Sequence, residues 1–136
     1  MTAEDNKKII ITSGEPAGIG PDICLQLGTF EKTELYTIAD PQLLSERASV
    51  LGIKANLHLH TELKQLSENY QHDKLNIIPL ALNDRCQAGK LNPNNSPYVL
   101  QMLDLACDLC LNSTVDAMVT GPVQKSILNQ NNLTFT

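Results

Sequence analysis

Apolar residues come in short β-branched runs over the first 80 positions of the chain, and each run is stopped by glycine, proline or a polar cluster. Lys8 to Thr12 (KIIIT) reads as a strand, and so does Glu34 to Ala39 (ELYTIA). Between them Pro21 opens a helix to about Leu27, with proline at the first position, where a missing N–H costs nothing. Asp40-Pro41 supplies an N-cap and a first-turn proline for a helix to Leu51, which Gly52 closes. ANLHLH (55–60) and KLNIIPL (74–80) read as short strands, joined by a polar and exposed connection from Glu62 to Asp73.

Past GKLNPNNSP, the loop richest in turn formers, the period changes. Ser96-Pro97 opens the longest helix, with Val99, Met102, Leu103, Ala106, Leu109 and Cys110 on one stripe at three- and four-residue steps. Asp116 to Thr120 (DAMVT) is a last strand, broken by Gly121-Pro122 ahead of a short helix from Val123 to about Asn129. Strands alternating with helices predict an α/β fold with a mainly parallel sheet covered by helices.

The 136 residues are 42% hydrophobic, enough for the core of one α/β domain and too few for two of ordinary size. Fifteen acidic against ten basic residues give a formal charge of −5 with no basic cluster, which argues against nucleic acid or an anionic membrane as partner. A polar N-terminus without an apolar signal core, and apolar runs far shorter than a span, predict a soluble cytoplasmic protein. Three of the cysteines at 24, 86, 107 and 110 sit among apolar neighbours, as reduced core thiols would.

Ligands of parallel sheets collect outside the carboxyl ends of the strands, and two loops placed there carry unusual chemistry. In SGEPAGIGPD, Gly14, Glu15, Gly18 and Gly20 precede a helix start, so glycine would let the backbone approach a ligand beside the positive end of that helix. A tight strand-to-helix turn would also use such glycines, and the G-x-G-x-x-G fingerprint is not present. In TGPVQK, Thr120, Gly121 and Lys125 place a hydroxyl, free N–H groups and an ammonium at one strand-to-helix turn, which suits a phosphate or carboxylate. A solvated lysine on a surface helix is the competing account.

The two loops in this order, about a hundred residues apart, together with CQAGKLNPNNSPYVLQMLDLACDLCLNSTVDAMVTGPVQKSIL and the terminal LTFT, resemble the N-terminal part of the 4-hydroxythreonine-4-phosphate dehydrogenase family of pyridoxal phosphate biosynthesis. That resemblance implies a fold similar to the isocitrate and isopropylmalate dehydrogenases, incomplete here, with residues 1–136 the N-terminal α/β portion of a longer two-domain enzyme. It further implies NAD as cofactor and a divalent metal (Zn, Mg or Co) held by histidines that lie beyond this chain, across a homodimer interface. A phosphorylated hydroxy amino acid would be oxidised and then decarboxylated. The stretch alone would be inactive, with no catalytic residue or metal ligand of its own. Two alternatives remain: a related 2-hydroxy acid dehydrogenase of the same fold, and a non-enzymatic chain that binds a phosphorylated ligand through TGPVQK.

Other polar side chains read as structural. His58 and His60 alternate on one strand face, a chelating spacing, but with no third ligand in view an edge-strand or surface role is the simpler account. His72 falls in a polar loop and reads as solvated. Cys107-x-x-Cys110 lies late in an apolar helical stripe, where core packing rather than redox chemistry is expected. Asp104 and Asp108 sit opposite that stripe, on a solvated face.

Overall fold

The computed structural model describes residues 6–126. Five strands, β1 (Lys7–Thr12), β2 (Thr33–Ala39), β3 (Leu57–Leu59), β4 (Leu75–Pro79) and β5 (Ala117–Thr120), form one sheet in the order β3-β4-β2-β1-β5. Every pairing is parallel. With α1 (Gly20–Cys24), α2 (Pro41–Leu51) and α3 (Ser96–Leu111) between the strands, this is the α/β alternation expected from the sequence.

Each face of the sheet packs helices. Ile10, Tyr36, Ile38 and Ile78 meet Tyr98, Val99, Met102, Ala106 and Leu109 of α3 in the larger core. On the other face Ala39 and Ile77 meet Leu25, Leu44 and Ala48, and α1 packs beside α2. The α3 stripe is the one read from the sequence, and Asp104 and Asp108 lie on its exposed side. In α2 the cap is complete: Asp40 Oδ1 accepts from the N–H groups of Gln42 (2.8 Å) and Leu43 (3.2 Å), and Gly52 ends the helix at φ 70°.

Three elements differ from the sequence reading. The α pitch of α1 ends at Cys24 and not Leu27, because the N–H groups of Gln26 and Leu27 turn back three residues, onto Ile23 and Cys24. β3 keeps only three residues of ANLHLH. The connection from Glu62 to Asp73 is not simply exposed: it makes two short 3-10 turns that bury Leu66 and pack Leu63 and Tyr70 on the α3-side core. The helix expected from Val123 does not start there, as Val123 and Gln124 are not helical; Lys125 and Ser126 are, and the rest of the expected helix and LTFT lie outside the described residues.

Topology marks one edge of the sheet. From β1 the chain moves outward to β2 and β4, then crosses back over α3 to place β5 on the far side of β1. The strand order therefore reverses between β1 and β5, and in open parallel sheets such a point opens the crevice that ligands occupy. The two loops singled out in the sequence are those that leave β1 and β5.

Candidate functional site

The β1 and β5 loops are bonded to each other through their main chains. Glu15 N–H donates to Pro122 O at 2.8 Å, and Gly121 N–H donates to Thr12 O at 2.7 Å. A Cβ on Gly14, whose φ is 77°, would lie 2.3 Å from Pro122 O; one on Gly121 would lie 2.6 Å from Thr12 O. At Gly20 it would lie 1.8 Å from Ser13 O. These three glycines are therefore demanded by the close approach of the chain to itself, the tight-turn account of them. Gly18 is exposed and meets only ordinary contacts, so no such demand applies there. The five-residue α1 has no side-chain cap and offers little of the dipole expected at its start.

A buried sulfur supports the same loop from below. Met102 Sδ, wholly inside the core, accepts from Gly14 N–H at 3.3 Å. Ser13 Oγ donates to Ile38 O at 3.0 Å, which pins the loop to β2 as well. Thr120 and Lys125 are exposed on the other loop, and Gly121 is half-buried between them and the β1 end.

Glu15 behaves differently from the glycines around it. Its side chain is buried, 7% exposed, and Oε1 accepts from Ala17 N–H at 3.1 Å. Burial raises its pKa above the ordinary 4.5, against the lowering influence of that hydrogen bond. A third loop closes in from the far side of α2: Gly89 N–H donates to Ala17 O at 2.8 Å. That loop and the N-terminal end of α2 line an open cleft of about 850 Å³ with Asp40, Glu46, Asp84, Arg85, Cys86 and Lys90 on its walls. Asp84 is held there by Asn92 and Asn94, each donating at 3.1 Å, and its pKa is lowered by Asn94 first, then Asn92 and the Arg85 N–H.

The sequence did not disclose this third loop as part of the edge. Asn95 Oδ1, buried, accepts from the N–H groups of Asn83 (3.1 Å) and Asp84 (2.8 Å), folding 83–95 into a compact turn. A run rich in Asn between two prolines carried the signal, because Asn side chains close local turns. Likewise Asp22, next to Pro21, forms a two-bond ion pair with Arg47, both contacts 2.8 Å, tying α1 to α2.

The remaining polar candidates lie away from the clasp. His58 is in the edge strand β3, as expected, and His60 just past its carboxyl end, their rings edge to face at 4.8 Å. His60 is nevertheless buried, which corrects the surface reading; its Nε2 sits 2.8 Å from Asn76 Oδ1. His72 is exposed. Cys107 is exposed, which corrects its assignment to the core, while Cys110 packs partly against it; all four cysteines are free. Among the described residues no three His, Cys, Asp or Glu side chains are grouped to hold a metal ion, and no helix is long and apolar enough to cross a membrane.

A parallel α/β sheet whose order reverses between two clasped loops, with a polar cleft along the same carboxyl edge, defines a domain of the open parallel α/β class, in which such an edge is where ligands generally bind. The family model described as "Pyridoxal phosphate biosynthetic protein PdxA" matches residues 31–136, and the chain belongs to that family. Among solved structures the fold is similar to a 4-hydroxythreonine-4-phosphate dehydrogenase from Klebsiella pneumoniae, with TM-score 0.80 and 22% identity, over 96% of this chain and 40% of that one. One from Burkholderia phymatum gives TM-score 0.82 at 20% identity, over 94% of this chain and 40% of that one. A putative one from Salmonella typhimurium gives 0.79 at 22%, over 96% and 42%. The chain thus spans about two-fifths of the length of these structures.

Proposed function

We propose that this chain forms part of an NAD-dependent dehydrogenase that oxidises 4-hydroxythreonine 4-phosphate and, with loss of carbon dioxide, yields 3-amino-2-oxopropyl phosphate. The observation that carries the reading is the clasp between the β1 and β5 loops at the reversal of strand order, in a chain of the PdxA family. The names of the three similar structures support the same activity.

In this reading the part of the enzyme seen here binds and orients substrate and does not hold the metal. The described residues do not fit a metal centre: no three His, Cys, Asp or Glu side chains are grouped among them, the histidine pair lies at the far edge strand, three strands from β1, and His60 Nε2 is already engaged by Asn76. The divalent ion, which supplies Lewis acidity when bound, is assigned to residues beyond Thr136, as is the homodimer contact that completes the site. Thr120 and Lys125 are assigned to the anionic end of the substrate, and Gly121, whose N–H is taken by Thr12 O, to holding the turn that carries them. The enzyme is placed in the cytoplasm.

Lys125 provides the test. In the complete enzyme Lys125→Met keeps the apolar stem and removes the charge, and a charge-assisted contact is worth roughly 1.5–3 kcal/mol, a tenfold to hundredfold loss in kcat/KM. A kcat/KM within twofold of wild type, with the melting temperature unchanged, would reject the assignment. The 136-residue chain by itself is expected to reduce no NAD with this substrate.

A further inference from the structure

Glu15 is a buried carboxylate at the carboxyl edge, and its Oε1 accepts from Ala17 N–H. Oε2 has no protein donor among the described residues and is not sealed from solvent, because the fully enclosed side-chain atoms without a partner there are His60 Nδ1 and Asn95 Nδ2; it stays open to a ligand. A carboxylate taken out of water is expected to have its oxygens satisfied, as the other buried glutamate of this fold does: Glu34 accepts from Tyr36 Oη at 2.6 Å, Ser67 Oγ at 2.8 Å and Asn6 Nδ2 at 3.2 Å. Glu15 stands where three loops converge. Its N–H holds Pro122, its capped turn carries Ala17 to Gly89, and its charge reaches Cys86 on the wall of the cleft.

We propose that Glu15 is a ligand-binding residue whose free carboxylate oxygen takes the ammonium group of an amino-bearing, phosphorylated substrate. The assignment rests on the dehydrogenase reading and adds to it the part of the substrate that this loop reads. The β5 loop brings a cation, Lys125, and the β1 loop an anion, Glu15, and the two loops are fixed to each other by the 2.8 Å bond from Glu15 N–H to Pro122 O. Opposite charges on two clasped loops suit a zwitterion, with the phosphate or carboxylate toward one loop and the ammonium toward the other. A carboxylate kept waiting in a partly dry position costs the fold stability, a cost that a cationic partner offsets on binding.

The experiment compares 4-hydroxythreonine 4-phosphate with its deamino analogue, 3-hydroxy-4-phosphooxybutanoate, on the complete enzyme and its Glu15→Gln variant. Glutamine keeps an acceptor for Ala17 N–H and removes the charge. The expected result is a loss of roughly tenfold to a hundredfold in affinity and kcat/KM for the amino compound, with the analogue changed less than twofold. The ratio between the two compounds is what is read, so a partial loss of folded enzyme cancels. An equal loss for both compounds means that Glu15 only holds the loop, and no loss for either means that it touches no ligand; both overturn the proposal. Affinity is measured by calorimetry beside turnover. A wild type that binds the amino compound without oxidising it refutes the dehydrogenase reading alone, and a wild type that binds neither compound refutes both.

Discussion

The two ends of the sheet each bury a glutamate, and they treat it in opposite ways. At the amino half Glu34, 1% exposed, sits inside a finished network with Tyr36, Ser67 and Asn6, while nearby Asn76 joins His60 to the Gln71 N–H (3.0 Å) and the Gln71 carbonyl (2.8 Å). At the carboxyl edge Glu15 has one backbone donor and an upward pKa. The Glu34 contacts favour a single packing of the strands and the 3-10 turns beneath them, although His60 Nδ1 beside them is buried without a partner. Glu15 has fewer protein donors, and its ionised form carries a desolvation cost, so the same residue type is part of a hydrogen-bonded cluster at one end and is left open at the other.

The sharpest break in this comparison comes from the loops themselves. Gly20→Ala forces a Cβ to 1.8 Å from Ser13 O, and neither main-chain group can yield cheaply. A loss of about 3 kcal/mol or more is expected in denaturant unfolding, with loss of activity in the complete enzyme. If Gly20→Ala were tolerated within 1 kcal/mol (roughly the ordinary helix cost range), the clasp would not be the rigid element described here.

The amino half should respond with stability alone. Glu34→Gln removes the charge that strengthens the Tyr36 and Ser67 contacts and is expected to cost about 1.5–3 kcal/mol while kcat/KM stays within twofold. A change in KM would mean that the two ends are coupled.

Glu15→Gln should differ in sign, and modestly. Its folded pKa is raised by burial above the 4.5 of the unfolded chain, so the folded state takes up the proton more readily. The stability this contributes is fully present below pH 4.5 and is lost as the pH rises through the folded value. At neutral pH the ionised side chain is therefore a burden, and the Gln variant is expected to melt slightly higher than wild type, with the gain vanishing below pH 4.5. A Gln variant less stable at pH 7 would show that the charge, and not the acceptor, holds the Ala17 turn.

How much of this was legible beforehand followed the range of the interactions involved. Asp40-Pro41 and Gly52 announce α2 because capping is settled within four residues, and the α3 stripe is visible because one helical period writes it. The glycines announced a tight place, but not what crowds it, since Pro122 O and Ser13 O are brought there by strand order and not by neighbours in sequence. His60 looked like a surface residue because alternation on a strand does not say which face the 63–70 turns will cover. Cys107 looked buried because it adjoins the stripe, yet it falls one step beyond the arc that meets the sheet. Thr120 and Lys125 were placed at a strand end by pattern alone, and the structure sets them at the reversal of strand order, a property that no window of sequence contains.

The pairing of β1 with β5 also sets a timetable. Ile9 lies against Ala117, and Asp116 Oδ2 accepts from Lys8 N–H across 108 positions of chain. At roughly 5–20 residues per second of synthesis, the emerging β1 waits on the order of 5–20 seconds for its second neighbour, with one side unpaired and Ile10 without the α3 residues that will bury it. Contacts of such sequence separation form late and slowly. The clasp between the β1 and β5 loops is thus the last part of this sheet to assemble, and a nascent chain halted before Thr120 would carry the whole glycine loop with nothing to hold it shut.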